Sequence, residues 1–273
     1  MRLLLTASLL MLAAPAMAED QCKFSEPHSL ALDLAGARSV LFKVNANDLH
    51  LQAAPGTGSA LKGRACASNE DLLKDLKVTQ RREGDRLVVE LANDRPLKLT
   101  LGHSYSYLDI QATVPEALLV QLDVGSGDAW STGGTVLSAD VGSGDVDIRN
   151  VKGMVTAKTG SGDMKLQDIG GLKLLDVGSG DVTARTVRGP VEVGEVGSGD
   201  VKISSVAGSV RIGRIGSGDV ELADVDGSVT VDSIGSGDLG VRNVSGNLEL
   251  RRKGSGDVHH SGVRGSVSLP RKD

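Results

Sequence analysis

The tetrapeptide Gly-Ser-Gly-Asp occurs eight times in this chain, starting at Gly125, Gly142, Gly160, Gly178, Gly197, Gly216, Gly235 and Gly254. Successive copies lie 17, 18, 18, 19, 19, 19 and 19 residues apart. Self-similarity at a fixed period of this length marks stacked supersecondary units. The clearest units, 197–215 and 216–234, read GSGDVKISSVAGSVRIGRI and GSGDVELADVDGSVTVDSI. Apolar residues fall at positions 5, 7, 10, 14, 16 and 19 of the unit. In the first they are Val201, Ile203, Val206, Val210, Ile212 and Ile215. Positions 5 and 7 alternate, as do 14 and 16, which puts each pair on one face of a short strand. Each unit therefore holds two strands and two turns. Gly-Ser-Gly-Asp makes one corner, and the glycine at position 12 (Gly189, Gly208, Gly227, Gly246) makes or adjoins the other. Glycine is expected at such corners because it reaches positive φ at little steric cost.

One unit cannot bury its own apolar edge, but stacked units can, each covering the next. The prediction is a column of coils spaced like strands of a sheet, about 4.8 Å apart. With a 19-residue coil, Glu192 neighbours Arg211, Glu195 neighbours Arg214, and Lys202 neighbours Glu221. Opposite charges so placed add about 0.2–1 kcal/mol each and report the register. An antiparallel sandwich with hairpins at the tetrapeptide also gives regular turn signals. It has no need of nearly identical strands at a near-constant interval. Only five residues are aromatic, Phe24, Phe42, Tyr105, Tyr107 and Trp130. A core filled by Val, Ile, Leu and Ala suits a narrow, flat interior. The fold class is all-β.

Three regions follow. Residues 1–18 read as a signal peptide: Arg2 supplies the positive charge, Leu3 to Leu12 the apolar stretch, and Ala16-Met17-Ala18 the cleavage site. The apolar run is too short to span a bilayer, and no later segment approaches about 18 apolar residues. Residues 19–124 lack the tetrapeptide yet look strand-rich, through Ser39 to Val44, Leu49 to Ala53, Arg86 to Leu91, Leu97 to Leu101, Leu108 to Val114 and Leu118 to Val124. Glu70 to Leu76 suits one or two helical turns. This region reads as degenerate coils or a cap, which a solenoid needs to cover its open strand edges. Residues 125–273 are the regular solenoid of 18–19-residue coils. At its end His260 takes a position that is apolar in most coils, as in a frayed terminal turn.

The stretch from Leu108 to Pro115, leading through Leu119-Val120-Gln121-Leu122-Asp123-Val124 into GSGDA, carries a family likeness. It resembles the bacterial putative-adhesin β-strand repeat family of exported proteins with G-S-G-D-V steps. The resemblance covers roughly residues 35 to 269. It implies a right-handed parallel β-solenoid and an envelope setting, and it supplies no catalytic residues.

Chemistry is sparse. Cys22 and Cys66 are the only cysteines, and an even pair in an exported chain suggests a disulfide. The loop of about 45 residues would contribute roughly 4 kcal/mol by loop entropy. The tetrapeptide aspartates should form a column along one edge, where like charges about 5 Å apart repel by roughly 1 kcal/mol per pair in water. Turn amides donating to each carboxylate would offset this. The sharper alternative is a calcium-binding ladder of Asp145, Asp163, Asp181, Asp200, Asp219 and Asp238. The calcium nonapeptide repeat differs, with half this spacing. A polysaccharide-cleaving β-helix could use paired carboxylates. These coils, however, are short and uniform, and sugar-stacking aromatics are nearly absent. His103 near Tyr105 and Tyr107 reads as a loop, and His259-His260 as a polar turn. Net charge is −5 without a basic block, so the electrostatic footprint of nucleic-acid binding is missing. The expectation is a non-enzymatic adhesion, scaffolding or interaction module, periplasmic or extracellular. Its partner is an envelope protein or glycan, and it has no catalytic residues and no cofactor.

Overall fold

A computed structural model of the protein describes residues 22–56, 58–94 and 104–270. The signal-peptide reading of 1–18, the strand expected at Leu97 to Leu101, and His103 lie outside the described residues. The chain enters through β1 (Phe24–Ala31), then β2 (Ser39–Asn45), β3 (Asp48–Ala54) and β4 (Ala60–Ala67). A 3-10 helix over Glu70–Asp75 follows, then β5 (Leu76–Glu83), β6 (Arg86–Asn93), β7 (Ser106–Pro115), β8 (Leu119–Val124) and β9 (Ala129–Gly133). From β10 (Val136–Val141) and β11 (Val146–Arg149) onward, strands alternate regularly to β24 (Val267–Ser268). Among the described residues they form two twelve-stranded sheets. The odd-numbered strands from β9 extend one sheet and the even-numbered from β8 the other, every pair parallel. This is a parallel β-solenoid of about eight turns with coils near 19 residues.

The register agrees with the apolar pattern. Val201 pairs with Val220, Ile203 with Leu222, and Val210 with Val229. The six apolar residues of unit 197–215 are all buried between the sheets. Each side chain so buried gains roughly 1.5–3 kcal/mol of transfer free energy. The last coil has no neighbour on its far side among the described residues, and its burial fails accordingly. Val258 to Val263 is half-buried at its two ends and exposed between, His260 included.

The two corner glycines work differently from expectation. None of the Gly-Ser-Gly-Asp glycines has positive φ. Their requirement is space: a Cβ on the second glycine of any copy would overlap the carbonyl oxygen of the equivalent residue one coil earlier. Backbones meet directly there, and the amides of Ser198 and Gly199 both donate to the carbonyl of Gly178. Positive φ occurs instead at position 9, at Asn150, Asp168, Thr186, Ser205, Asp224 and Asn243, and at Gly133 and Gly262. A left-handed residue there interrupts the alternation of the strand, so that position 10 faces inward like positions 5 and 7. That explains the three-residue step between positions 7 and 10.

Spatial order departs from chain order at the N-terminal end. β6 and β7 build the first coil, β2 and β3 the second, and β8 and β9 the third. The coil formed earlier in sequence is thus inserted between two formed later. β4 pairs antiparallel with β7, β1 with β4, and β5 with β6, so antiparallel strands lie along the outer edges of both sheets. The second coil has a corner at Asn45-Ala46-Asn47-Asp48, where the amides of Ser126 and Gly127 donate to the Asn45 carbonyl as in later copies and that of Asp128 donates to the Asn47 carbonyl. Buried Asn47 satisfies itself fully: its amide donates to the carbonyls of Val44 (3.0 Å) and Leu91 (2.8 Å), and its oxygen accepts from Leu108 N–H (2.9 Å).

Candidate functional site

The aspartate column exists, and each carboxylate points along it. Oδ1 of Asp128 accepts the backbone N–H of Asp145 at 2.9 Å, and Oδ1 of Asp145 accepts that of Asp163 at 3.1 Å. The series continues from Asp163 to Asp181 (2.9 Å), Asp181 to Asp200 (2.9 Å) and Asp200 to Asp219 (3.1 Å). It ends with Asp219 to Asp238 (2.8 Å) and Asp238 to Asp257 (2.7 Å). The donor belongs to the next coil and not to the same turn. At this corner the sheet ladder has stopped, and the side chain supplies the acceptor that the amide lacks. Among the described residues no three His, Cys, Asp or Glu side chains group as a metal site.

The column begins one coil earlier than the tetrapeptide. Asp48 takes the equivalent place beside Asp128, whose backbone N–H donates to the Asn47 carbonyl at 3.1 Å and lies close enough to the Asp48 carboxylate to favour its charge. Its carboxyl is pushed above the ordinary range, first by burial and further by the neighbouring charges of Asp128 and Asp109. Asp109 lies beside Asp48 in register and also faces Arg64 Nε at 3.5 Å and His50 Nε2 at 3.8 Å.

On the outer face of the same sheet, His50 and Trp130 occupy paired positions on β3 and β9. Their rings stack 4.4 Å apart and 5° from parallel. Trp130 remains 38% exposed, the one large aromatic side chain so exposed among the described residues. A cleft of about 150 Å³ opens on its other side, lined by Asp128, Trp130, Asp145, Val146, Asp147, Asp163 and Lys165. A second cleft of about 240 Å³ shares Asp147 and Lys165 and continues past Arg149, Gln167, Thr183 and Arg185. The Arg149 guanidinium holds Asp147 through two bonds, 2.7 and 2.6 Å. In the sequence Trp130 stands out only as one of five aromatics. Its outward position, 6 in the repeat, was the signal that could have flagged it.

The predicted charge pairs sit in the expected register. Arg214 faces Glu195 at 3.8 Å, but Glu192 pairs with Lys173 at 3.0 Å and Arg211 with Asp232 at 3.0 Å. Long side chains reach to either neighbouring coil, so adjacency permits more than one partner. Cys22 and Cys66 form the disulfide, with Cα atoms 5.4 Å apart, tying the entry to β1 onto β4. Tyr105 and Tyr107 lie near it, ring centroids 6.3 Å apart. His259 and His260 are exposed on the last coil, beside a shallow cleft with Glu221 and Arg242. No helix among the described residues is long and apolar enough to cross a membrane.

Comparison with known proteins finds one family model, described as Toastrack DUF4097, which matches residues 104–273. No curated protein matches. Among solved structures, a "putative lipid binding protein" from Parabacteroides distasonis is 16% identical, covering 90% of this chain and 97% of that one, TM-score 0.43. A "putative adhesin" from Bacteroides fragilis is 13% identical over 88% and 98%, TM-score 0.41. Another "putative adhesin", from Parabacteroides merdae, is 12% identical over 87% and 96%, TM-score 0.40.

Proposed function

This chain belongs to the Toastrack DUF4097 family, and we propose that it is an exported, non-enzymatic solenoid that serves as an interaction module of the cell envelope. The observation that carries this reading is the uniform parallel stacking of the coils. It sets outward side chains in fixed rows along two long flat faces, with their backbones locked by inter-coil bonds. A rigid face of that kind meets a partner with little ordering cost. The alternative of a polysaccharide-cleaving enzyme would call for irregular loops walling a deep groove, whereas the Gly-Ser-Gly-Asp coils vary by only one or two residues. The Cys22–Cys66 disulfide supports an oxidising compartment outside the cytoplasm. The leader-like residues 1–18 support the same placement.

Lys202 is exposed on an outward row and suits a photo-crosslinking residue in intact cells. Recovery of one reproducible envelope protein or glycan is the expected result. Turnover of an envelope polysaccharide by the purified chain, abolished by replacing a carboxylate pair, would overturn the non-enzymatic reading.

A further inference from the structure

We infer that the cleft beside Trp130 is a saccharide-binding site, taking the apolar face of a neutral sugar ring on the indole and its hydroxyls on the surrounding carboxylates and Lys165. The inference deepens the interaction-module reading and rests on it.

The geometry starts from the sheet. His50 and Trp130 are register partners on neighbouring strands, and their rings are almost parallel. The ring planes therefore stand across the line between strands. One indole face is covered by His50, and the other looks toward β11, where the cleft lies. Trp130, 38% exposed on a rigid sheet, offers apolar surface awaiting cover, at a fixed angle and with no loop to order.

Polar groups converge on that face. Asp128, Asp145 and Asp163 each commit Oδ1 to the amide of the next coil, which fixes the carboxylate. Oδ2 of each makes no protein hydrogen bond among the described residues and is free to accept from a hydroxyl. Asp147 is held by Arg149 with its side chain 14% exposed. Lys165 is exposed and makes no ion pair among the described residues, so its ammonium is a free donor. Fixed acceptors with one free donor beside an aromatic plane match a polyol ring. Pockets of this kind fix a ligand through a few placed polar groups on an apolar surface. Phosphate-bearing ligands are disfavoured by the carboxylates. An apolar peptide side chain would find the indole and Val146, but would desolvate the four carboxylates of Asp128, Asp145, Asp147 and Asp163 around them. The second cleft continues the first across one more strand, β15 (Val182–Val187), about 5 Å of additional length by strand spacing. That extent suits an oligosaccharide lying along the rod axis.

Trp130 is the only tryptophan, so intrinsic fluorescence reports on this cleft alone. The purified chain is titrated with cellotetraose, chitotetraose and a galacturonic acid tetramer. The expected result is a saturable change in emission with a neutral tetramer, at a Kd of about 1 mM or tighter. Binding of the same tetramer should weaken at least about fivefold in Lys165→Ala and Asp147→Asn, each roughly a 1 kcal/mol loss. Saturation-transfer NMR on Trp130→Ala should show no transfer to the sugar, with recovery in Trp130→Phe, circular dichroism being unchanged in both. Absence of a saturable change with all three tetramers overturns the inference, as does undiminished transfer in Trp130→Ala. Capture of an envelope protein from Lys202 without any sugar response leaves the interaction module standing and removes this site. Failure of both removes the two together.

Discussion

Gly199 lies so close under Gly180, its equivalent one coil earlier, that any Cβ on Gly199 would overlap the Gly180 carbonyl oxygen. The same contact recurs at every Gly-Ser-Gly-Asp corner, Gly127 meeting the carbonyl of Asn47 and Gly256 that of Gly237. Gly199→Ala should therefore force two coils apart and cost at least about 3 kcal/mol, at the severe end for single substitutions. Gly240→Ala is the control. Its nearest neighbour would be Glu221 Cγ at 3.7 Å, an ordinary contact, and its φ is not positive. That variant should change stability by less than about 0.5 kcal/mol. Chemical denaturation of both measures the difference, and equal effects would refute the close-approach account.

The aspartate column makes a separate prediction. Asp200 accepts the amide of Asp219 at 3.1 Å, and Asp219 accepts that of Asp238 at 2.8 Å. Asp200→Ala removes an acceptor and should cost about 1 kcal/mol, since the site is partly open to water. Asp200→Asn keeps an acceptor oxygen and relieves like-charge repulsion, so its melting temperature should match or exceed the parent at low salt. If calcium raised the parent's melting temperature and Asp200→Asn abolished that rise, the column would be a cation ladder instead.

Thr186 holds φ at +59°, a conformation that a β-branched side chain resists. Asn occupies the same position at Asn150 and Asn243 with φ of 59° and 55°. Thr186→Asn should stabilise the fold by about 1 kcal/mol. A thermal melt that fell on this substitution would show that Thr186 contributes a contact outweighing its backbone strain.

Asp48 gives the pH dependence. Its ordinary value is 3.8, and burial with two neighbouring carboxylates raises it in the folded chain. Below 3.8 the acid is protonated in both states and imposes no penalty. As pH rises through the raised folded value, the unfolded chain has already released the proton, so stability falls. Asp48→Asn keeps the side chain's shape, leaves the Asp128 amide on the Asn47 carbonyl and has no proton to release. Its melting temperature should exceed the parent's at neutral pH, and the gain should vanish at pH 3. A constant difference across that range would contradict the assignment.

The disulfide should act at the N-terminal end. Cys22→Ser with Cys66→Ser opens a loop whose closure is worth up to roughly 4 kcal/mol by chain entropy. Hydrogen exchange should accelerate in β1 and β4 while the amides of Val201 and Val220 stay protected. Uniform acceleration along the rod would mean that the end and the coils unfold as one unit.

The sequence by itself determined the repeating part. Positions 5, 7, 10, 14, 16 and 19 name the buried residues, and the 19-residue interval sets Val201 over Val220, because identical coils can stack in only one register that keeps every valine covered. It also paired the two cysteines, there being no other choice. Tertiary structure alone decided the rest. Strands β1, β4 and β5 were not anticipated, since edge strands bury little and their residues, such as Lys77, Thr79 and Arg81, show weak apolar alternation. The insertion of β2 and β3 between later strands depends on contacts between residues some 80 positions apart, such as Asp48 with Asp128, and no local pattern encodes them. The His50–Trp130 stack has the same origin: two rings distant in sequence meet because one coil happens to lie against the other. Local periodicity records which face of a strand is buried, and only packing decides which distant strand lies beside it.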